Sequence, residues 1–385
     1  MKTLIENGSV ILPEGLKKTN LLFEDDKILA IGPKRFEADL IIDAKGAFVS
    51  PGFIDIHLHG GGGHDFMEST VEAFTSVSEF HLIHGATSQV PTAISAPKAS
   101  IDQFLSSYQQ ASESGLIKAR LLGAHLEGPY LSPKKNGAHT LACLHDPIES
   151  EYHEWVEKYP FVKRMTAAPE LEGALKMGDY LHQHHINVSI GHSNAFGNEI
   201  TDAISHGYDS VTHLYNAMSS VGEHKGKKAA GIAEMALLNP DLFVEMIADL
   251  QHVPKELVQF AYKNKGSDKL ILVSDCLSPA GMEEGVYFLG AGADRMQIDV
   301  KDAVYLHGQN KLAGSIATVN TLLKNVVSIG IELTEAVKMI SSTPAKLLGF
   351  DHIVGSLEVG KAADILLLDQ HLNVVKVICK GKIIR

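Results

Sequence analysis

The sequence predicts an α/β protein, a (β/α)8 TIM-like barrel with a small β-sandwich built from both chain termini. Three observations lead there. From Pro51 onward, eight short β-rich runs alternate with helix-length amphipathic stretches, the rhythm of βα units. The two ends of the chain read instead as short strands separated by turns, each too short to fold as a domain of its own. Histidines and carboxylates recur where the β-rich runs end, which is where a barrel carries its chemistry.

Residues 1–50 form the N-terminal part of the small β domain. Leu4-Ile5, Asn7-Gly8 and Val10-Ile11-Leu12 read as strand, turn, strand, and Leu21-Leu22-Phe23, Asp25-Asp26 and Ile28-Leu29-Ala30-Ile31 repeat the figure. Residues 51–350 form the barrel, with strands expected at 53–59, 87–92, 120–126, 162–167, 187–190, 210–213, 243–248 and 269–274. Segments 71–84, 101–114, 147–159 and 254–264 between them carry amphipathic helical patterns. Around 285–312 the rhythm breaks into strand-like pieces, which predicts a β insertion after the eighth strand. Residues 351–385 complete the small domain, with Ile365 to Leu368 and Val374 to Ile378 as strands and Lys380-Gly381-Lys382 as a turn. No internal repeat or low-complexity tract interrupts this order.

Composition narrows the function. With 34 basic against 46 acidic residues the formal charge is −12, which argues against nucleic acid and against a membrane surface held by basic charge. Apolar residues at 45% and charged residues at 21% match a soluble globular chain. No apolar run approaches the ~18 residues of a membrane span. Met1 to Pro13 carries Lys2 and Glu6 and lacks a secretory leader's apolar stretch, so the expected address is the cytoplasm. Cys143, Cys276 and Cys379 are too few and too scattered for a disulfide framework or a Cys-based zinc site. Twenty histidines against one tryptophan is the odd ratio.

Those histidines fall at strand ends. The first strand closes with His57-Leu58-His59 and four glycines, and the period of two puts both imidazoles on one face. Glu127 follows His125 at the end of the third strand, His192 ends the fifth, His213 the sixth and Asp275 the eighth. Imidazole nitrogen and carboxylate oxygen are the ligand set for Zn2+ or Fe2+ in a hydrolytic centre. His182, His184 and His185, and likewise His81 and His84, sit near helix C-termini, where histidine suits the helix dipole, and are read as structural.

The segment Pro51-Gly52-Phe53-Ile54-Asp55-Ile56-His57-Leu58-His59-Gly60 resembles the opening metal motif of the amidohydrolase superfamily. Glu127-Gly128-Pro129-Tyr130, Gly137-Ala138-His139, Ala168-Pro169-Glu170, Gly191-His192-Ser193-Asn194-Ala195, Thr212-His213-Leu214-Tyr215-Asn216-Ala217-Met218, Ser274-Asp275 and Leu312-Ala313-Gly314-Ser315 resemble its N-acetylglucosamine-6-phosphate deacetylase branch. The likeness runs on to Gly360-Lys361-Ala362-Ala363-Asp364 and so covers essentially the whole chain. It implies a homodimeric enzyme of amino sugar metabolism that hydrolyses the N-acetyl group of a phosphorylated N-acetyl amino sugar with one or two divalent ions, Zn2+ or Fe2+, per subunit. Glu127, His192 and His213 match the ligands of the metal present throughout the branch. His57 and His59 match a second position that only some members keep, with Glu127 then bridging. Asp275 matches the general acid/base and His139 the residue that polarises the acetyl carbonyl. Ala138, Asn216, Ala217, His252, Leu312, Ala313 and Gly314 match positions that hold the sugar phosphate.

The chain departs from the branch at two places: the run Asp249-Leu250-Gln251-His252 lacks a glycine common there, and one loop differs in its charges. Where members usually carry an arginine that clamps phosphate across a dimer interface, this sequence reads Glu223-His224-Lys225-Gly226-Lys227-Lys228. Lysine offers a compact point charge in place of a planar fork. His224 and Lys225 are the aligned substrate-binding candidates, and the loop is the one expected to reach a neighbouring subunit. The expected reaction converts N-acetylglucosamine 6-phosphate to glucosamine 6-phosphate and acetate. The alternatives are a deacetylase of N-acetylgalactosamine 6-phosphate or of an unphosphorylated N-acetylhexosamine, and a catalytically inactive sugar-binding protein on the same scaffold.

Overall fold

The computed structural model describes residues 1–290 and 295–385; residues 291–294, inside the expected insertion, lie outside the described residues. Its centre is a ring of parallel strands in sequence order: Phe53–Leu58, Ala86–Ile94, Arg120–Leu121 with Ala124–Glu127, Val162–Ala167, Asn187–Ile190, Tyr208–Val211, Phe243–Met246 and Leu270–Leu272. The ring closes between last and first, where the Asp275 N–H donates to the His57 carbonyl at 2.8 Å and Leu58 bridges Cys276. The expected third strand, 120–126, is broken in two. Gly123 sits at φ +140°, and a Cβ there would meet Phe161 O at 2.7 Å and the Lys163 side chain at 2.4 Å, so the chain steps around its neighbour through glycine.

Helices pack outside the ring on apolar faces. Val71–Ile83 starts at Thr70, whose hydroxyl accepts the Ala73 N–H at 3.1 Å, a side-chain N-cap. The next helix spans Lys98–Glu113, three residues earlier than its apolar pattern alone indicates, because Pro97 at φ −55° already sets the entry to the first turn. Phe74 of the first helix meets Phe104 of the second with centroids 5.5 Å apart inside the main core. Beyond the eighth strand, Gly285–Leu289, Met296–Val300 and Val304–Leu306 form an antiparallel three-stranded sheet. No helix of the described residues is long and apolar enough to cross a membrane.

The small β-sandwich is hydrogen-bonded as one continuous sheet of eight strands, five from the N-terminus and three from the C-terminus. Phe48–Pro51 pairs antiparallel with Ile365–Leu368 and so joins the two ends of the chain. Asn7-Gly8 is not a hairpin turn. Lys2–Leu12 is a single strand with a bulge there, Asn7 taking φ +61°, and the chain reverses at Pro13-Glu14 instead. A Cβ on Gly8 would lie 2.5 Å from Val49 Cγ2, so the bulge lets the strand approach Phe48–Pro51 closely. The unit has its own core around Val10, Phe23, Val49, Ile365 and Ile378. Arg120 ties it to the barrel's lower end, with Nε 2.5 Å from Asp364 Oδ2 and Nη2 bonded to Asp26.

Candidate active site

Most of the candidate side chains sit at or just past the end of a barrel strand, and His139 comes from the long loop after the third. At several of these positions the backbone is left-handed in a residue that is not glycine: His192 at φ 46°, His213 at 31°, Ala217 at 46° and Asp275 at 47°. Such conformations cost about 1–3 kcal/mol each and persist where the surroundings over-determine them. Here they turn the side chains at the strand ends inward to one point.

That point is Glu127, whose two oxygens face different partners. Oε1 lies 3.3 Å from His192 Nε2 and 3.1 Å from His213 Nε2. Oε2 lies 3.5 Å from His57 Nε2, 3.2 Å from His59 Nε2 and 3.4 Å from His139 Nε2. Asp275 Oδ1 faces the first-strand pair at 3.6 Å from His57 and 3.3 Å from His59. All of these residues are buried.

Electrostatics follow from this crowding. Burial alone would push the Glu127 carboxyl up, but His57, His139, His192 and His213 outweigh it and hold it well below the usual range. Asp275 is likewise held low against burial by His57 and His59. Burial disfavours the imidazolium of His59, yet Asp275 and Glu127 raise it to about 9, and His57 is raised well above its ordinary value by Glu127, Glu245 and Asp275. The pocket thus demands positive charge.

A divalent cation fits that demand. His192 Nε2 and His213 Nε2 point at each other across 3.1 Å, and His57 Nε2 and His59 Nε2 across 3.3 Å. Facing imidazole nitrogens with a carboxylate between them are reconciled by a shared cation. Two clusters have ligand atoms close enough to hold one, His57 with His59 and Asp275, and Glu127 with His139 and His192. His139 differs from the others in one respect. Its Nδ1 receives the Ser95 backbone N–H at 3.3 Å and lies 2.8 Å from Ser95 Oγ, which leaves the ring proton on Nε2. Burial, then His192, lowers its pKa to about 4, so it is a neutral hydrogen-bond donor better suited to a substrate oxygen than to a metal.

Above these groups opens a cavity of about 420 Å³, in the range of small-molecule sites. His59, Glu127, His139, His192, His213 and Asp275 line it, as do Ala138, Asn216, Ala217, His252, Leu312, Ala313 and Gly314. His57 lies beneath its floor, fully buried. His224 and Lys225 are not brought to it. They sit on the hairpin Gly222–His224 and Lys227–Ala229, where His224 stacks on Phe196 with centroids 5.1 Å apart. His81 Nε2–H donates to the Gly60 carbonyl at 2.9 Å, and His182, His184 and His185 are exposed, all apart from the cavity. His125 is satisfied by Thr92 and Thr166 at 3.2 and 2.8 Å.

Sequence reasoning missed five residues. Lys134, Lys135 and Lys311 line the cavity and give it a basic rim, Lys311 Nζ reaching the Gly137 carbonyl at 2.7 Å. The signal was present in a Lys-Lys pair just ahead of Gly137-Ala138-His139 and a lysine just ahead of Leu312-Ala313-Gly314. Arg164 and Glu245, both fully buried beneath the site, were visible only as charges inside apolar strands. A larger cavity of about 610 Å³ opens between the small domain and the helices Leu333–Met339 and Ser342–Leu347; it has acidic and basic walls and none of the candidate residues.

Comparison with known proteins bears on this geometry. Residues 48–384 match the model of the amidohydrolase family. The N-acetylglucosamine-6-phosphate deacetylase of Vibrio furnissii is 34% identical over 336 residues, 87% of this chain and 82% of that protein. The N-acetylgalactosamine-6-phosphate deacetylase of Escherichia coli O157:H7 is 29% identical over 100% of this chain and 99% of its own. Among solved structures, a variant of the N-acetyl-D-glucosamine-6-phosphate deacetylase of Mycobacterium smegmatis, in complex with that sugar phosphate, superimposes with a TM-score of 0.90 at 30% identity, covering 100% of this chain and 98% of that one.

Proposed function

This chain belongs to the amidohydrolase family, and we propose that it hydrolyses the N-acetyl group of N-acetylglucosamine 6-phosphate to give glucosamine 6-phosphate and acetate. The observation that carries this reading is Glu127, each of whose oxygens faces its own set of imidazoles, set beside Asp275 and a neutral His139 under a lysine-rimmed cavity. Glu127, His192 and His213 would hold one Zn2+ or Fe2+, and His57 and His59 would serve a second position. Such an ion would supply Lewis acidity and lower the pKa of water from 15.7 toward about 7.

The chain's own residues then divide the work. Asp275, held as a carboxylate, takes the proton of the attacking water and returns it to the amide nitrogen, which leaves only as a protonated amine. His139 presents Nε2–H to the carbonyl oxygen and stabilises the charge that develops there, an effect commonly worth ~3–4 kcal/mol for one donor. Ala138, Asn216, Ala217, His252 and the Leu312-Ala313-Gly314 backbone orient the sugar. Lys134, Lys135 and Lys311 supply positive charge for the phosphate within the subunit, and the hairpin loop of His224 and Lys225 reaches a neighbour's cavity.

In this reading residues 51–350 are the catalytic unit with its insertion around 285–312, and residues 1–50 with 351–385 the supporting one. The protein works as a cytoplasmic homodimer. Identity to the E. coli O157:H7 galactosamine-isomer enzyme over the full chain favours one second reading, N-acetylgalactosamine 6-phosphate as substrate. Acetate release from the two phosphorylated sugars and from plain N-acetylglucosamine, run side by side on metal-loaded protein, decides. Preference for the glucosamine isomer with its phosphate supports the reading. Preference for the other isomer, or turnover of the plain sugar as fast as of its phosphate, moves the substrate, and no acetate from any of them removes the activity.

A further inference from the structure

Beneath the candidate metal centre lies a buried polar chain that the proposed reaction does not use. Glu245, in the middle of the seventh barrel strand and fully buried, places Oε2 3.1 Å from His57 Nδ1 and accepts the His213 N–H on the same oxygen at 3.2 Å. The Arg164 guanidinium lies 2.7 Å from Oε1 as an ion pair rather than an aligned hydrogen bond. Arg164 Nη1 in turn donates to Asn187 Oδ1 at 2.6 Å, and Asn187 donates to Ser210 Oγ at 2.9 Å and to Asp209.

A buried ion pair is a poor source of stability. Removing two charges from water costs several kcal/mol each, and apolar residues of similar volume are often no worse. The seventh strand could have carried an apolar side chain at this position, as it does at Val244 and Met246. The pair's placement gives it a purpose, since it touches one imidazole of the first-strand pair and not the other. Among the described residues His59 Nδ1 is buried with no hydrogen-bond partner, whereas His57 Nδ1 is met by a carboxylate that is itself anchored.

Resting on the metal-centre reading above, we infer that Glu245 is a positioning residue for the deeper cation position. Its carboxylate, pinned by Arg164, orients the His57 ring so that Nε2 faces Glu127 and Asp275. A ligand histidine whose far nitrogen donates to a carboxylate is fixed in rotation and is the more basic donor, and loss of such a partner typically costs about 10–100-fold in metal affinity. Glu245 also takes the His213 backbone N–H, a bond that the amide oxygen of a glutamine can still accept.

The test is metal binding to the full-length apoprotein, titrated with Zn2+ against a competing chelator, with ions per chain counted by elemental analysis. Wild type is compared with Glu245→Gln, with the double variant Arg164→Gln and Glu245→Gln, which leaves no unpaired buried charge if the single variant folds poorly, and with His57→Asn. The expected result is two binding steps in wild type, with the weaker one lowered about 10–100-fold in both Glu245 variants, lost in His57→Asn, and the tighter one unchanged. Unchanged affinities, or both steps weakened alike, overturn the positioning role. One ion in wild type overturns it too while leaving the metal centre standing, and none removes the metal centre itself.

Discussion

The two ends of the barrel treat buried charge in opposite ways. At the lower end, Arg120 is matched by Asp364 and Asp26, and Asp364 also accepts the Lys380 N–H at 2.7 Å, so charges are paired within the protein. At the upper end, imidazole nitrogens face one another around Glu127, and several residues hold left-handed backbone to bring them there. The lower end is finished by folding, while the upper end is left needing a cation and a substrate. Close, unreconciled polar contacts on strained backbone are therefore a better marker of function here than burial or charge alone.

Three measurements sharpen that contrast. The largest effect belongs to Asp275→Asn, which keeps the Glu127, His192 and His213 cluster but removes the proposed proton carrier. Turnover falls by about 10²–10⁴-fold while the ion at Glu127, His192 and His213 is retained, and near-normal kcat would remove Asp275 from the chemistry. Next comes Arg120→Met at the lower end. Breaking a largely buried pair costs about 3–5 kcal/mol of stability, read as a lower denaturation midpoint, and kcat of the folded variant is unaffected; a loss of kcat at full occupancy of the native state would show the two ends to be coupled. The smallest concerns His81, fully buried, which burial lowers to about 4. The folded protein prefers it neutral and the unfolded chain binds its proton first, so its contribution is complete above the ordinary value of 6.5 and is lost as pH falls toward about 4. Relative to His81→Gln, wild-type stability should drop by at most about 3 kcal/mol across that window, and parallel profiles for the two proteins would contradict this.

The barrel was legible because its strands are short apolar runs that alternate with helical patterns, and the convergence of His57, His59, Glu127, His192, His213 and Asp275 follows from their shared place at strand ends. What was not legible depends on neighbours distant in the chain. The break at Gly123 answers to Phe161 and Lys163, and the bulge at Asn7-Gly8 to Val49. Glu245 acquires meaning only from His57, 188 positions away. Lys311 looks like any exposed lysine until the insertion brings it over Gly137. The arginine position aligned with Lys225 pointed to a hairpin that lies away from the cavity, because local motif order carries no information about where a loop comes to rest.

The closure between the eighth and first strands has a consequence for how the protein comes to life. Asp275 stands on the far side of that seam from His57 and His59, and the bond from its amide to the His57 carbonyl is one of the few that stitch the seam shut. The small sheet repeats the arrangement, since Phe48–Pro51 waits for Ile365–Leu368. In the proposed reaction His57 and His59 emerge from synthesis more than two hundred residues before Asp275. The candidate site is therefore complete only once the eighth strand has closed on the first, and the seam is what joins its two parts.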